Sequence, residues 1–136
     1  MVNEKPNILF EDEYLLVVNK PPHMPVHPSS GNYDNTLANI VAYYLEEKGI
    51  NGIHIITRLD KDTSGICIFA KNKYIQELFI RKKEEVKLYK EYLCIVNGIV
   101  KKEHDIIEKN IARKDNTIIL REVNENGDYA KTEYYT

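Results

Sequence analysis

Arg58 and Asp60 stand two positions apart in Ile-Thr-Arg-Leu-Asp-Lys-Asp-Thr-Ser-Gly, residues 56–65, where an apolar run meets a glycine-ended loop. A carboxylate can serve as nucleophile or general base. A planar guanidinium can bind phosphate or stack on a base, which an ammonium does poorly. If residues 53–60 run extended, Arg58 and Asp60 share one face and Leu59 points to the other. Leu59 can then anchor in the core while both charges look into a cleft. Asp62, Thr63 and Ser64 suit a turn with side-chain-to-backbone bonds, and Gly65 admits positive φ. The plain alternative is an exposed Arg–Asp pair beside a capped turn, worth ~0–1 kcal/mol.

Other groupings carry less. His23 and His27 have the four-residue spacing of helical zinc ligands, but prolines at 21, 22, 25 and 28 exclude a helix there, so no metal site is expected. Ser64 has no Gly-x-Ser-x-Gly elbow around it, and no glycine-rich phosphate loop is present. Cys67 and Cys94 form no Cys-x-x-Cys and suit reduced thiols of a cytoplasmic protein. The start of the chain does not read as a signal peptide, and no apolar run reaches the ~20 residues of a membrane span.

The elements that must position Arg58 and Asp60 follow from periodicity. The 136 residues are 43% hydrophobic and 29% charged, which suits a packed core under a charged surface. Ile8 to Phe10 and Tyr14 to Asn19 read as short strands around an acidic turn, the second stopped by Pro21-Pro22. Leu37, Ile40, Val41, Tyr44 and Leu45 recur at helical spacing, with Asp34 or Asn35 as N-cap and Gly49 after the end. Gly-Ile-His-Ile-Ile predicts a strand into the motif. Gly-Ile-Cys-Ile-Phe-Ala after it predicts a strand buried on both faces. Residues 73–86 predict a second helix with Tyr74, Ile75, Leu78 and Phe79 on one side, and 87–98 a further strand. Residues 117–123 and 128–136 predict a hairpin around Asn-Glu-Asn-Gly. The fold class is α+β: a mixed, mainly antiparallel sheet with two helices.

Net charge is −2, yet residues 71–90 hold seven basic and three acidic side chains. Lys71, Lys73, Arg81, Lys82 and Lys83 are candidates for phosphate contact, against a solvated helix face laced by i,i+4 ion pairs.

The string Arg-Leu-Asp-Lys-Asp-Thr-Ser-Gly resembles the signature of the RluA-type pseudouridine synthases, which isomerise uridines in ribosomal or transfer RNA. Three further blocks resemble that family in order. They are residues 8–28 with Lys20, Pro21, Pro25, Val26 and His27, the strand Lys-Glu-Tyr-Leu-Cys-Ile-Val-Asn-Gly, and Asp-Tyr-Ala-Lys-Thr-Glu-Tyr-Tyr. Thr-Leu-Ala-Asn-Ile-Val is similar to its first helix. The resemblance implies a pseudouridine synthase-like catalytic core, incomplete here. It implies Asp60 as catalytic aspartate, Tyr92 as active-site tyrosine, and Arg58 and Lys90 as substrate-binding residues. Tyr92 on residue type alone is a half-buried strand tyrosine. Ser64 after Thr63 points to the RluA type rather than to the group acting on small-subunit RNA.

Two departures stand out. Thr57 occupies a position where the family usually has His or Asn. A later block, similar to Thr-His-Gln-Ile-Arg, is absent along with its arginine partner for the aspartate. The chain, 1–136, is therefore expected to be the N-terminal portion of a catalytic domain without a preceding S4 domain. The implied function is RNA pseudouridine synthase, an isomerase without cofactor and without a membrane partner, acting in the cytoplasm on rRNA or tRNA. The alternative is a catalytically incomplete RNA-binding fragment. Uncovered sheet edge or apolar surface predicts self-association.

Overall fold

The strands Ile8–Glu11 (β1) and Leu15–Lys20 (β2) pair antiparallel. The turn between them is set by Asp12, whose carboxylate accepts the amides of Tyr14 at 2.8 Å and Leu15 at 2.7 Å. In the computed structural model, residues 5–28, 34–82, 85, 88–115, 117 and 120–136 are described. They fall into two units, one up to Lys90 and one from Glu91 onward.

The first unit continues with the helix Leu37–Glu47 (α1), the short strand His54–Ile55 (β3), the strand Gly65–Ala70 (β4) and the helix Lys73–Arg81 (α2). Its sheet has the order β1-β2-β4-β3, with every neighbour antiparallel. Register places Leu16 opposite Phe69 and Val18 opposite Cys67. All four are fully buried, and they form one cluster with Leu37, Val41 and Leu45 of α1. Period-two strands and a period-3.6 helix thus present matching apolar faces to each other. β4 buries one face, not the expected two: Ile66, opposite Asn19, is 59% exposed.

α1 begins one residue later than expected. Its N-cap is Thr36, not Asp34 or Asn35, and Thr36 and Asn39 close a reciprocal capping box. Its end follows the glycine prediction. Gly49, at φ 75°, donates to Glu46 O, and Ile50 donates to buried Leu45 O, both at 2.9 Å. These bonds make a Schellman motif in which Ile50 also packs on the core.

α2 is capped by Asn72, whose side chain accepts the Ile75 amide at 2.9 Å. It packs loosely: none of its residues is buried, and Tyr74 is exposed rather than aligned with Ile75, Leu78 and Phe79. The helix ends at Arg81, short of the expected 86.

Glu11 ties β1 to α1 and to the residue after β4. Its carboxylate accepts Lys71 Nζ at 2.7 Å, Lys48 Nζ at 2.8 Å and Tyr44 Oη at 2.6 Å. Burial alone would raise its pKa, but the bonds from Lys48, Lys71 and Tyr44 outweigh burial and lower it from 4.5 to about 2. Above pH 4.5 the group is ionised whether folded or not, and its full contribution is present. That contribution, on the order of 3 kcal/mol, is lost as pH falls from 4.5 through about 2. Acid titration of thermal stability should show this loss for the native chain and a flattened dependence for Glu11→Gln.

The second unit is a three-stranded sheet of His104–Arg113 (β5), Arg121–Val123 (β6) and Asp128–Tyr135 (β7). Its order is β6-β5-β7, so the expected hairpin of the last two strands does not form: both pair antiparallel with β5, which lies between them. The turn at 124–127 carries the chain across β5 instead. Gly127 there is required by proximity, since a Cβ would lie 2.4 Å from the Ile111 carbonyl carbon. Residues 118 and 119 of the expected strand lie outside the described residues.

No strand is assigned to 88–103, which corrects the expectation for 87–98. A strand persists only where its backbone groups find a partner, and among the described residues this segment meets one only at its end, where Glu103 O accepts the Thr136 amide at 2.9 Å. Its apolar side chains are open to solvent, with Leu93 and Ile95 fully exposed.

Candidate active site

Two loops build one wall of a cleft of about 850 Å³ in the first unit. The first is residues 21–28, after β2; the second is residues 56–64, between β3 and β4. Lys20 joins them. It is the largest fully buried side chain, and its ammonium donates to Pro21 O at 2.9 Å, Met24 O at 2.8 Å and Lys61 O at 2.9 Å. Three donors meet three acceptors, which is how a buried ammonium is tolerated. Burial lowers the Lys20 pKa, and the negative charges of Asp62 and Asp60 partly restore it. At the surface, His23 Nδ1 and Asp62 Oδ1 add a 2.8 Å contact between the same loops.

The first loop is fixed from below as well. The amides of Leu37 and Ala38 at the start of α1 donate to Pro25 O and Val26 O, each at 3.0 Å, and the Val26 side chain is buried in the core. The second loop leaves the sheet through Thr57, whose Oγ1 accepts the Ile68 amide at 2.9 Å. The departure noted at this position is therefore a residue whose hydroxyl faces inward and completes the bonding of β4. Past the motif, Thr63 N donates to Asp60 O at 3.2 Å, closing the turn, and Gly65 at φ 126° admits the chain back into β4.

Between these fixed ends the expected alternation holds. Leu59 packs on the core, while Arg58 and Asp60 are exposed and line the cleft. Among the described residues, no ion pair or hydrogen bond joins the two side chains, so the scaffolding pair that these residue types also allowed is not formed. Lys90 lines the same cleft. The structure thus brings together three of the four expected site residues. Tyr92 belongs to the second unit, where it is 59% exposed in the unpaired segment.

Among the cleft residues not singled out as site residues are His27 and Gln76. His27 follows buried Val26 and is half-buried beside the motif. Burial lowers its pKa, and the Arg58 charge lowers it further. Gln76 of α2 donates to Ile55 O at 2.9 Å and holds the helix against the edge strand. The Val26–His27 alternation was a readable signal for the first. A lone glutamine on a helix was no signal for the second.

The basic candidates near α2 are engaged elsewhere. Lys71 pairs with Glu11, Lys73 and Arg81 with Glu77, and Lys82 with Glu85. The solvated, ion-paired helix face describes them, while Lys83 lies outside the described residues. Among the described residues, no group of His, Cys, Asp and Glu is arranged to hold a metal ion.

Comparison with known proteins agrees with the fold. The family described as RNA pseudouridylate synthase matches residues 14–136. An RNA pseudouridine synthase of Aquifex aeolicus (strain VF5) is 38% identical over 133 residues, which are 95% of this chain and 42% of that protein. Ribosomal large subunit pseudouridine synthase D of Zymomonas mobilis is 45% identical over 96 residues, 67% of this chain and 30% of that protein. The chain thus spans less than half the length of these relatives. Among solved structures, human RNA pseudouridylate synthase domain containing 1 superposes with a TM-score of 0.75 at 23% identity, over 96% of this chain and 51% of that one. That likeness carries the two-helix, antiparallel fold. Family match, fold and the Arg58–Asp60 motif coincide, and the chain belongs to the RNA pseudouridylate synthase family, in its RluA-type branch.

Proposed function

We propose that this chain carries the aspartate-bearing half of a site that isomerises uridine to pseudouridine in RNA, with Asp60 as its reactive group. The observation that carries the reading is the presentation of Arg58 and Asp60. Both face one cleft, unpaired with each other, on a loop fixed at both ends and through Leu59. Isomerisation breaks the C1′–N1 bond, turns the uracil, and forms C1′–C5. The hydrogen on C5 leaves to solvent and N1 gains a proton. Atoms and electrons balance within the nucleoside, so a carboxylate is sufficient and no cofactor is invoked. Asp60 acts on the sugar as nucleophile or on its proton as base. The target base must first leave its stack, at a cost of a few kcal/mol. Arg58 occupies the vacated place or holds the adjoining phosphate, with Lys90 beside it. Tyr92 offers a ring for the extruded uracil, worth ~1–3 kcal/mol.

On this reading the chain is part of a larger catalytic domain, since it covers 42% of the Aquifex aeolicus relative. Ribosomal RNA is the preferred substrate class, since the Zymomonas mobilis relative is named for the large ribosomal subunit. Transfer RNA is the second. Action in the cytoplasm suits Cys67 and Cys94, which are both free. Among the described residues, no helix is long and apolar enough to cross a membrane.

A second reading concerns the 136 residues by themselves. Among the described residues, Arg58 is the sole arginine lining the cleft and no ion pair holds Asp60. This favours an RNA-binding chain that needs a further arginine for turnover. Tritium release from [5-³H]uridine RNA, set beside a binding titration, decides. Release by the isolated chain refutes the second reading; release in neither the chain nor a version of its relatives' length refutes the first. The exposed side chains of Leu93, Ile95 and Ile99 also favour self-association of the isolated chain. Light scattering should give a mass above the monomer's 15.9 kDa, and a strict monomer contradicts it.

A further inference from the structure

We infer that His27 is a further RNA-contacting residue of this cleft, one whose ring meets a nucleobase or ribose and not a phosphate. The inference rests on the proposed function and extends it to a side chain on the opposite loop. Three observations lead to it. His27 is held rigidly, because the residue before it is buried in the core and bonded through its carbonyl to the start of α1. The loop that carries it is stapled by Lys20 to the carbonyl of Lys61, the residue directly after Asp60, so ring and carboxylate share one fixed frame. The ring is half-buried and lines the cleft beside Arg58.

Its charge state follows from the same surroundings. Burial, and then the adjacent guanidinium, favour the neutral imidazole. A neutral ring offers a flat face for stacking and one nitrogen acceptor for a ribose hydroxyl or an imide N–H. Arg58 and Lys90 already supply cations to the cleft, and a third positive group beside Arg58 would be repelled. The division of labour is therefore cations for the backbone and a rigid neutral ring for the nucleoside.

The test is a fluorescence titration of the chain with a uridine-containing RNA stem-loop, repeated over a range of salt. His27→Ala should weaken binding about 5- to 100-fold, the range of one lost stacking contact. The slope of log affinity against log salt should stay unchanged. Arg58→Ala should lower that slope by about 1, as expected for a lost phosphate contact. His27→Phe should keep most of the affinity if the ring face is what matters, and His27→Gln should keep it if the acceptor is. Melting temperatures of all variants guard against unfolding. Native affinity in a folded His27→Ala overturns the inference alone, and so does a salt slope that falls as in Arg58→Ala. If neither the native chain nor a protein of its relatives' length binds the RNA, the functional reading fails and takes the inference with it.

Discussion

Asp60→Asn is expected to remove uridine isomerisation while leaving the fold intact. The side chain is exposed, makes no bond that holds the loop, and sits where backbone contacts fix the chain without it. Replacing a carboxylate with a near-isosteric amide at such a place should change stability by about 0.5 kcal/mol or less. The effect on rate should be far larger, and its size is informative. Loss of a general base costs about 10²- to 10⁴-fold, whereas loss of a nucleophile can approach 10⁶-fold. Single-turnover rates for Asp60→Asn, made in a protein of the relatives' length, would therefore separate the two roles. Asp60→Asn with near-native rates would remove the carboxylate from the mechanism altogether.

Lys20→Met should produce a loss of stability in the first unit as large as that of emptying a core position. The methionine fills much the same volume, but it leaves the carbonyls of Pro21, Met24 and Lys61 without their donor. Each lost bond to the ammonium is worth about 1.5–3 kcal/mol, and water replaces part of it at Pro21 and Lys61, which are exposed residues, so a net loss of about 3–5 kcal/mol is expected. Two of those carbonyls belong to the loop bearing His27, and the third directly follows Asp60. Activity should consequently fall even at temperatures where the variant remains folded. Chemical denaturation and tritium release on the same sample would check both parts. Lys20→Arg is not expected to rescue, because a planar fork cannot point three donors at carbonyls placed around a compact ammonium. Full stability in Lys20→Met would show that solvent reaches these groups.

Much of the first unit was legible because its local signals agree with one another. The apolar runs Ile8–Phe10 and Tyr14–Asn19, the helical spacing from Leu37 to Leu45 and the glycine after it all pointed to one arrangement, and the structure has strands at Ile8–Glu11 and Leu15–Lys20 and a helix at Leu37–Glu47. The motif reading was legible for a further reason: with Leu59 anchored in the core, the side chains before and after it must look away.

What was not legible depends on partners distant in sequence. His104–Arg113 is polar at most positions, and its adjacent Ile106 and Ile107 break period two. Nothing local marked it as the central strand of its sheet. Without that strand, β6 and β7 looked like each other's partners. Residues 87–98 have strong strand composition, but composition cannot supply the neighbouring backbone a ladder requires. Lys20 gave no warning either. A lysine before two prolines looks like a solvated strand end, and only the fold reveals three carbonyls converging on it.

The most direct measurement is of the product. RNA incubated with the protein, native or Asp60→Asn, would be digested to nucleosides and resolved by chromatography. The expected result is a pseudouridine peak from the native protein at the expense of uridine, with none above background from Asp60→Asn. Equal pseudouridine from both would contradict the assignment of the chemistry to Asp60.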